Sequence, residues 1–353
     1  MQRAQRKLEH IKYALELGDG PLSTHFEDIR FLHNCLPEIS PADIDLSVEI
    51  FGKRLRLPFL IDAITGGTDA VTDVNARLAQ AAAKAGVAMA VGSQYGAVRD
   101  GSGLASYEVV RKYNPDGLVF ANISALATPA QAQAAVDMLG ADALEIHLNA
   151  AQELFMPEGD VDFSGLLANM QRICEHLDVP VVVKETGCGI GAGEYKRLLE
   201  AGFSFFDCAG AGGTNFPAIE ARRAGITLEK DFAEWGLPTA WTMIDSAMCL
   251  SDENVVIASG GIRSAGDAAK SFALGADLAG VTGNILDIAL HQGAEAAAQY
   301  FTDLGNGLHD YLLLLGCRVP GDLRRVPLIY SGETRGFIDC RGYDITALSQ
   351  SRR

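Results

Sequence analysis

The chain has 353 residues, 48% hydrophobic and 21% charged, which is enough apolar content for one large α/β domain or two smaller ones. Its net charge of −16 excludes nucleic acid and anionic membrane as natural partners, because both are bound through a basic field. No run approaches ~18 apolar residues, and the opening "MQRAQRKLEHIK" is too charged for a secretion signal, so neither a membrane span nor export is expected.

Residues 1–56 precede the first long apolar run and are expected to form an N-terminal extension, a helix and a cover. From residue 57 to 353 one grammar takes over. Short apolar runs fall at 57–65, 87–94, 117–124, 141–149, 179–186, 203–210, 254–261 and 276–283, with alanine- and leucine-rich helical patterns between them. "TPAQ" at 128–131 reads as a helix start, with a threonine cap, a proline in first position and a glutamine to complete the box. Runs that are apolar throughout indicate parallel strands covered on both faces, and eight of them predict a (β/α)₈ TIM barrel. A doubly wound sheet would place GxGxxG after its first strand, and "TGGTDA" lacks that spacing. The stretch 212–237 is long for a connection and predicts a lid or a substrate wall. The tail from 318 carries seven arginines against four acids, which suits a surface or subunit contact. No linker marks a second domain.

Seven cysteines without a CxxC pair point to reduced thiols and a cytoplasmic location. Cys188 in "TGCGIG" is read as structural, not as a nucleophile. Neither HExxH nor a zinc-type cluster is present.

In a barrel of this kind the site lies at the C-terminal strand ends. Those positions hold Thr65-Gly66-Gly67, Ser93-Gln94, Asn122, His147 with Asn149, Gln152 and Glu153, Lys184-Glu185, Gly212-Gly213-Thr214, Ser259-Gly260-Gly261 and Thr282-Gly283. The last two turns follow strands seven and eight, where barrels commonly bind phosphate, and Arg263 would add a cation. Lys184, with Asn122 and Thr214, is placed to address a polar heterocycle. An ammonium at the N1/C2 edge of a flavin stabilises the reduced anion, so the set fits FMN better than a sugar phosphate. The competing reading of Lys184 is an internal ion pair with a carboxylate.

These residues resemble the type 2, FMN-dependent isopentenyl diphosphate isomerases. The resemblance runs from Arg6, Lys7 and His10 in "RKLEHI" through "ITGG" (64–67), "GSQ" (92–94), "HLNAAQELFMPEGD" (147–160), "VVVKETGCGI" (181–190), "GAGGTNF" (210–216), "EWGLPTA" (234–240) and "ASGGIR" (258–263). It implies that FMN is held by Ile64, Thr65, Gly66, Ser93, Asn122, Lys184, Thr214, Ser259, Gly260, Gly261, Arg263, Thr282 and Gly283. It assigns the substrate diphosphate to Arg6, Lys7, His10 and the Ser93-Gln94-Tyr95 loop, with His147 and Asn149 as nearby catalytic residues. Gln152 would lie at the reacting carbons and Glu153 would bind Mg²⁺. The activity implied is the 1,3-allylic shift of isopentenyl diphosphate to dimethylallyl diphosphate, with the reduced flavin as acid and base and NADPH as reductant, in a homo-oligomer.

One position departs from the family. Tyr95 stands where the family's Gly-Ser-Gln-Arg motif has arginine, which removes a charge-assisted contact worth roughly 1.5–3 kcal/mol. Arg99 reaches back, or diphosphate affinity is weaker, or the substrate differs. Ile64 replaces the usual methionine conservatively. Two rivals remain open: an FMN oxidoreductase on the same barrel, and a flavin-binding homologue with altered or lost activity. The first needs a catalytic histidine late in the barrel, and there is none between residues 177 and 290.

Overall fold

The computed structural model describes residues 2–349, so Arg352 and Arg353 of the basic tail lie outside the described residues. Eight parallel strands close into a barrel. They are β1 (Phe59–Ile61), β2 (Ala88–Ala90), β3 (Val119–Ser124), β4 (Ala143–Leu148), β5 (Val181–Glu185), β6 (Phe205–Asp207), β7 (Val255–Ala258) and β8 (Leu278–Val281). Each lies within one of the eight apolar runs, and β8 pairs back onto β1 to complete the ring. The structure is a TIM barrel.

Alternation along each strand builds two different cores. Outward positions such as Phe59, Met89, Ala121, Ile146, Val183 and Phe206 join the helices in one large apolar cluster. Inward positions form a second cluster near the strand starts, from Leu60, Ala88, Phe120, Ala143, Val182, Ile257 and Leu278. One inward step further along, the interior turns polar: Asp62, Asn122, Glu145, Lys184, Asp207 and Ser259 are all buried.

Helix starts follow local chemistry. Thr128 and Gln131 form the expected box ahead of Pro129–Leu139. Ser264 and Asp267 do the same ahead of Ala265–Ala273. The long connection 212–237 folds as Phe216–Ala224, capped by Asn215, followed by the short Lys230–Ala233.

The N-terminal extension serves both ends of the barrel. Helix Gln2–Leu17 crosses the strand C-terminal ends and packs on Phe216–Ala224. A hairpin, Val48–Ile50 with Lys53–Leu55, closes the opposite end. Phe51 at its turn packs edge-on to Phe205 with centroids 5.0 Å apart, and lies 5.9 Å from Phe120. Strand Ile29–Phe31 pairs antiparallel with Leu328–Tyr330 of the tail. The tail therefore packs on its own chain over that stretch. No helix among the described residues is long and apolar enough to cross a membrane.

Phe51 plugs the barrel floor with a half-buried ring. Phe51→Ala is expected to lower stability by about 2–3 kcal/mol, somewhat less than for a fully enclosed phenylalanine. Urea denaturation measures this, and an unchanged midpoint would show that the hairpin does not brace the floor.

Candidate active site

A cavity of about 490 Å³ opens at the C-terminal strand ends, a size typical of small-molecule sites. The structure brings nearly all of the sequence-selected residues to its wall. From the extension come Arg6, Lys7 and His10, and from the early strands Ile64, Ser93, Tyr95 and Asn122. His147, Asn149, Gln152, Glu153, Lys184 and Thr214 follow from the middle of the barrel. Ser259, Gly260, Gly261, Arg263, Thr282 and Gly283 complete it.

Three of the residues assigned to FMN or substrate do not line the cavity. Gln94 is fully buried in the barrel wall, where Nε2 donates to the Ala135 carbonyl at 2.8 Å and Oε1 accepts from the Asn122 backbone at 2.9 Å. Gly66 packs against the Tyr107 ring, and a Cβ there would lie 2.3 Å from that ring. Thr65 is buried beside it, with a hydroxyl that has no partner among the described residues. Tyr107 fastens this corner by donating to the Ser93 carbonyl at 2.6 Å.

The cavity floor is the polar layer of the barrel. Lys184 Nζ donates to Asp62 at 2.7 Å and to Asp207 at 2.8 Å, so the internal ion pair is present and the lysine also reaches the cavity. The carboxylate oxygens of Asp62, Glu145 and Asp207 lie within 4.8 Å of one another. Burial opposes the Lys184 charge, but the three carboxylates outweigh it and raise its pKa. Burial and the nearby Asp62 push Asp207 up to about 6, while Lys184 and Ser259 pull the other way. Sequence reasoning overlooked these acids because each lies inside a run read as apolar.

The turns Gly212-Gly213 and Gly260-Gly261 press together. A Cβ on Gly213 would sit 2.5 Å from the Gly261 nitrogen, and one on Gly261 would sit 2.3 Å from the Gly212 carbonyl. Gly260 and Gly261 also hold φ of +92° and +76°, which glycine adopts without strain. The two helix starts beside them differ. Ahead of Ala265–Ala273 the Arg263 and Ser264 backbone N–H groups already donate to Asp267, at 3.1 and 3.0 Å. Helix Gly283–His291 has no side-chain cap, and Thr282 and Gly283 at its start line the cavity. The Arg263 guanidinium pairs with Asp19 of the extension.

The N-terminal helix forms the roof through charges. Arg6 meets Glu158 at 3.3 Å. His10 Nε2 lies 2.8 Å from Glu220, a fully buried carboxylate on Phe216–Ala224 that also accepts from Gln152 at 2.9 Å and pairs with Arg223. Burial pushes the His10 pKa down, while the Glu220 carboxylate beside it pulls the other way. Burial works against Glu220, yet its donors His10, Gln152 and Arg223 hold it down at about 2. Arg223 also bridges to Glu9 and Glu158, at 3.1 and 3.2 Å. Glu220 and Arg223 were missed by sequence reasoning, although both lie in the stretch predicted to be a wall. Glu153 accepts from Asn149 Nδ2 and from the Asp160 backbone, each at 2.9 Å. Arg99 does not reach back to the cavity; it pairs with Asp100 at 2.8 Å, and Tyr95 stands at the wall in the arginine's place.

Residues 22–99 and 166–329 match the FMN-dependent dehydrogenase family. Solved mandelate oxidase structures share the fold. One with a monooxide FMN adduct superposes with a TM-score of 0.64 at 19% identity, covering 94% of this chain and 99% of that one. An isopentenyl-diphosphate delta-isomerase of a Geobacillus species is 43% identical over 99% of both chains. That of Moorella thermoacetica is 42% identical over 96% of this chain and 97% of its own. That of Symbiobacterium thermophilum is 43% identical over 98% of each. With a closed barrel, a polar cavity and full-length identity of this order, the chain belongs to the type 2, FMN-dependent isopentenyl-diphosphate delta-isomerases.

Proposed function

We propose that this protein shifts the double bond of isopentenyl diphosphate to give dimethylallyl diphosphate, with FMN and Mg²⁺ in the cavity and NADPH as the flavin's reductant. The observation that carries the reading is the meeting of Arg6, Lys7 and Gln152 with the barrel-top polar layer around one cavity.

The residues fit FMN. The uncapped start of Gly283–His291, with the Thr282 and Gly260-Gly261 turns, suits its phosphate. Lys184, Asn122 and Thr214 would hold the heterocycle, and the partnerless Thr65 hydroxyl offers a buried polar contact beside it. Reduced FMN bound there would supply the acid and base for the allylic proton shift. The chain's own work is positioning. Arg6 and Lys7 supply local positive charge for a diphosphate on an acidic protein. Gln152, held by Glu220 and Asn149, would lie beside the alkene. Glu153 gives a hard cation one carboxylate, and a diphosphate would supply further oxygens. Reduced thiols agree with a cytoplasmic setting, and we infer a homo-oligomer.

The oxidoreductase reading is weaker, because no histidine lies between residues 177 and 290 to serve as its base late in the barrel. Anaerobic incubation of reduced protein with isopentenyl diphosphate and Mg²⁺ tests the proposal. Dimethylallyl diphosphate is the expected product, and its absence overturns the reading.

Glu153→Gln is expected to raise the Mg²⁺ requirement about tenfold or more and leave bound flavin unchanged, since an amide is a poor ligand for a hard cation. Overlapping Mg²⁺ titrations would remove Glu153 from the metal site.

Asp62→Asn frees part of the Lys184 charge, which then favours a reduced flavin anion. The FMN midpoint potential should rise by on the order of 30 mV. Dye equilibration reads it, and a fall would mean that Lys184 acts elsewhere.

Restoring arginine with Tyr95→Arg should lower KM by about tenfold with little change in kcat, because ground and transition states carry the same diphosphate. An unimproved KM together with a lower melting temperature would point to a reshaped pocket and a different substrate.

A further inference from the structure

A hydrogen-bonded chain leads from the barrel interior to the cavity. Glu145, fully buried, accepts from Asn122 Nδ2 at 2.8 Å through Oε2, while its Oε1 has no partner among the described residues. The remaining Asn122 amide atom, Oδ1, lies 2.8 Å from His147 Nδ1. The Asn122 main chain is itself pinned by Gln94. An amide oxygen only accepts, so the proton at this contact belongs to the ring nitrogen. Burial, with Lys7 and Lys184 adding to it, pushes His147 down to about 3, so the ring is neutral and its other nitrogen is bare. His147 lines the cavity, and Nε2 has no hydrogen-bond partner among the described residues.

We propose that Glu145 is a positioning residue: by accepting from Asn122 it fixes the orientation of that amide, and through it holds His147 as the Nδ1–H tautomer with Nε2 presented to the cavity as an acceptor. The functional weight of the inference rests on reading this cavity as the isomerase site. It changes the part that His147 plays there. A bare nitrogen repels an ionised phosphate oxygen and accepts from a donor, such as a protonated phosphate oxygen or a flavin N–H. Arg6 and Lys7 then carry the charge that holds the diphosphate, and His147 selects for a donor group. The device works with Glu145 ionised, or neutral with its proton on Oε1, since Oε2 accepts in both states.

Long-range ¹H–¹⁵N correlation spectra of the ¹⁵N-histidine-labelled protein as isolated read the tautomer directly, with His147 assigned by its loss in His147→Gln. The parent is expected to show Nδ1–H alone. Glu145→Met removes the acceptor and should convert this to a mixture of the two tautomers, with Asn122→Ala giving the same result by cutting the next link. A parent ring in the Nε2–H form overturns the proposal and needs no variant to fold. A folded Glu145→Met protein with an unchanged His147 signal overturns the role of Glu145. Because no substrate is present, failure of turnover with isopentenyl diphosphate would overturn the isomerase reading separately and leave the tautomer result standing.

Discussion

The Lys184 ammonium, buried between Asp62 and Asp207, is the contact around which the site is organised. Lys184 lies on β5, and Asp62 follows β1 on the far side of an eight-stranded ring, so one side chain spans the interior. Ser259 adds the end of β7 through its 2.5 Å bond to Asp207. Breaking such a pair by removing one partner typically costs about 3–5 kcal/mol, whereas replacing the whole cluster by apolar residues is often neutral. Stability alone therefore does not explain an ionic layer here. What it provides is a charged floor of fixed geometry, set directly above a tightly packed apolar plug.

Floor and roof are built on opposite principles. The floor is buried and its bonds are short. In the roof, Arg6–Glu158 and Arg223–Glu158 reach half-exposed carboxylates, and pairs of that kind contribute little individually. Only the Glu220 node is fully buried, and it receives His10, Gln152 and Arg223 together. The N-terminal helix is thus attached at one strong point and several weak ones, which places it among the parts of a fold that open at low free energy.

The barrel was legible because its signals are local. Apolar runs of strand length, the Thr128 box and the turn glycines each act within a few residues of themselves, and the structure reproduces them. The cavity wall was legible because a barrel sends every strand end to one face. Charges inside the strands were harder to read. Asp62, Glu145 and Asp207 each fall two residues after an inward apolar residue (Leu60, Ala143 and Phe205), and that two-residue step was the available signal. Glu220 and Arg223 form a local i,i+3 pair, which any surface helix can carry, and their other partners lie up to 214 residues away. Gln94 shows the converse. It sits at a strand end, but the unsatisfied Asn122 N–H and Ala135 carbonyl draw its side chain into the wall.

The short ladder between Ile29–Phe31 and Leu328–Tyr330 has a consequence for the order in which the molecule is assembled. On a ribosome the extension emerges first, yet the strand that anchors it is made after the whole barrel. Asp28 waits likewise for the Ser331 and Thr334 N–H groups. The segment bearing Asp19 and Thr24 packs beside the Gly212 and Gly261 turns through partners that all precede the tail, with the Gly20 N–H on the Gly213 carbonyl and the Ala240 N–H on the Thr24 carbonyl. The mouth can therefore be built from barrel residues as they emerge, and the tail ladder adds the last tie on the extension behind it.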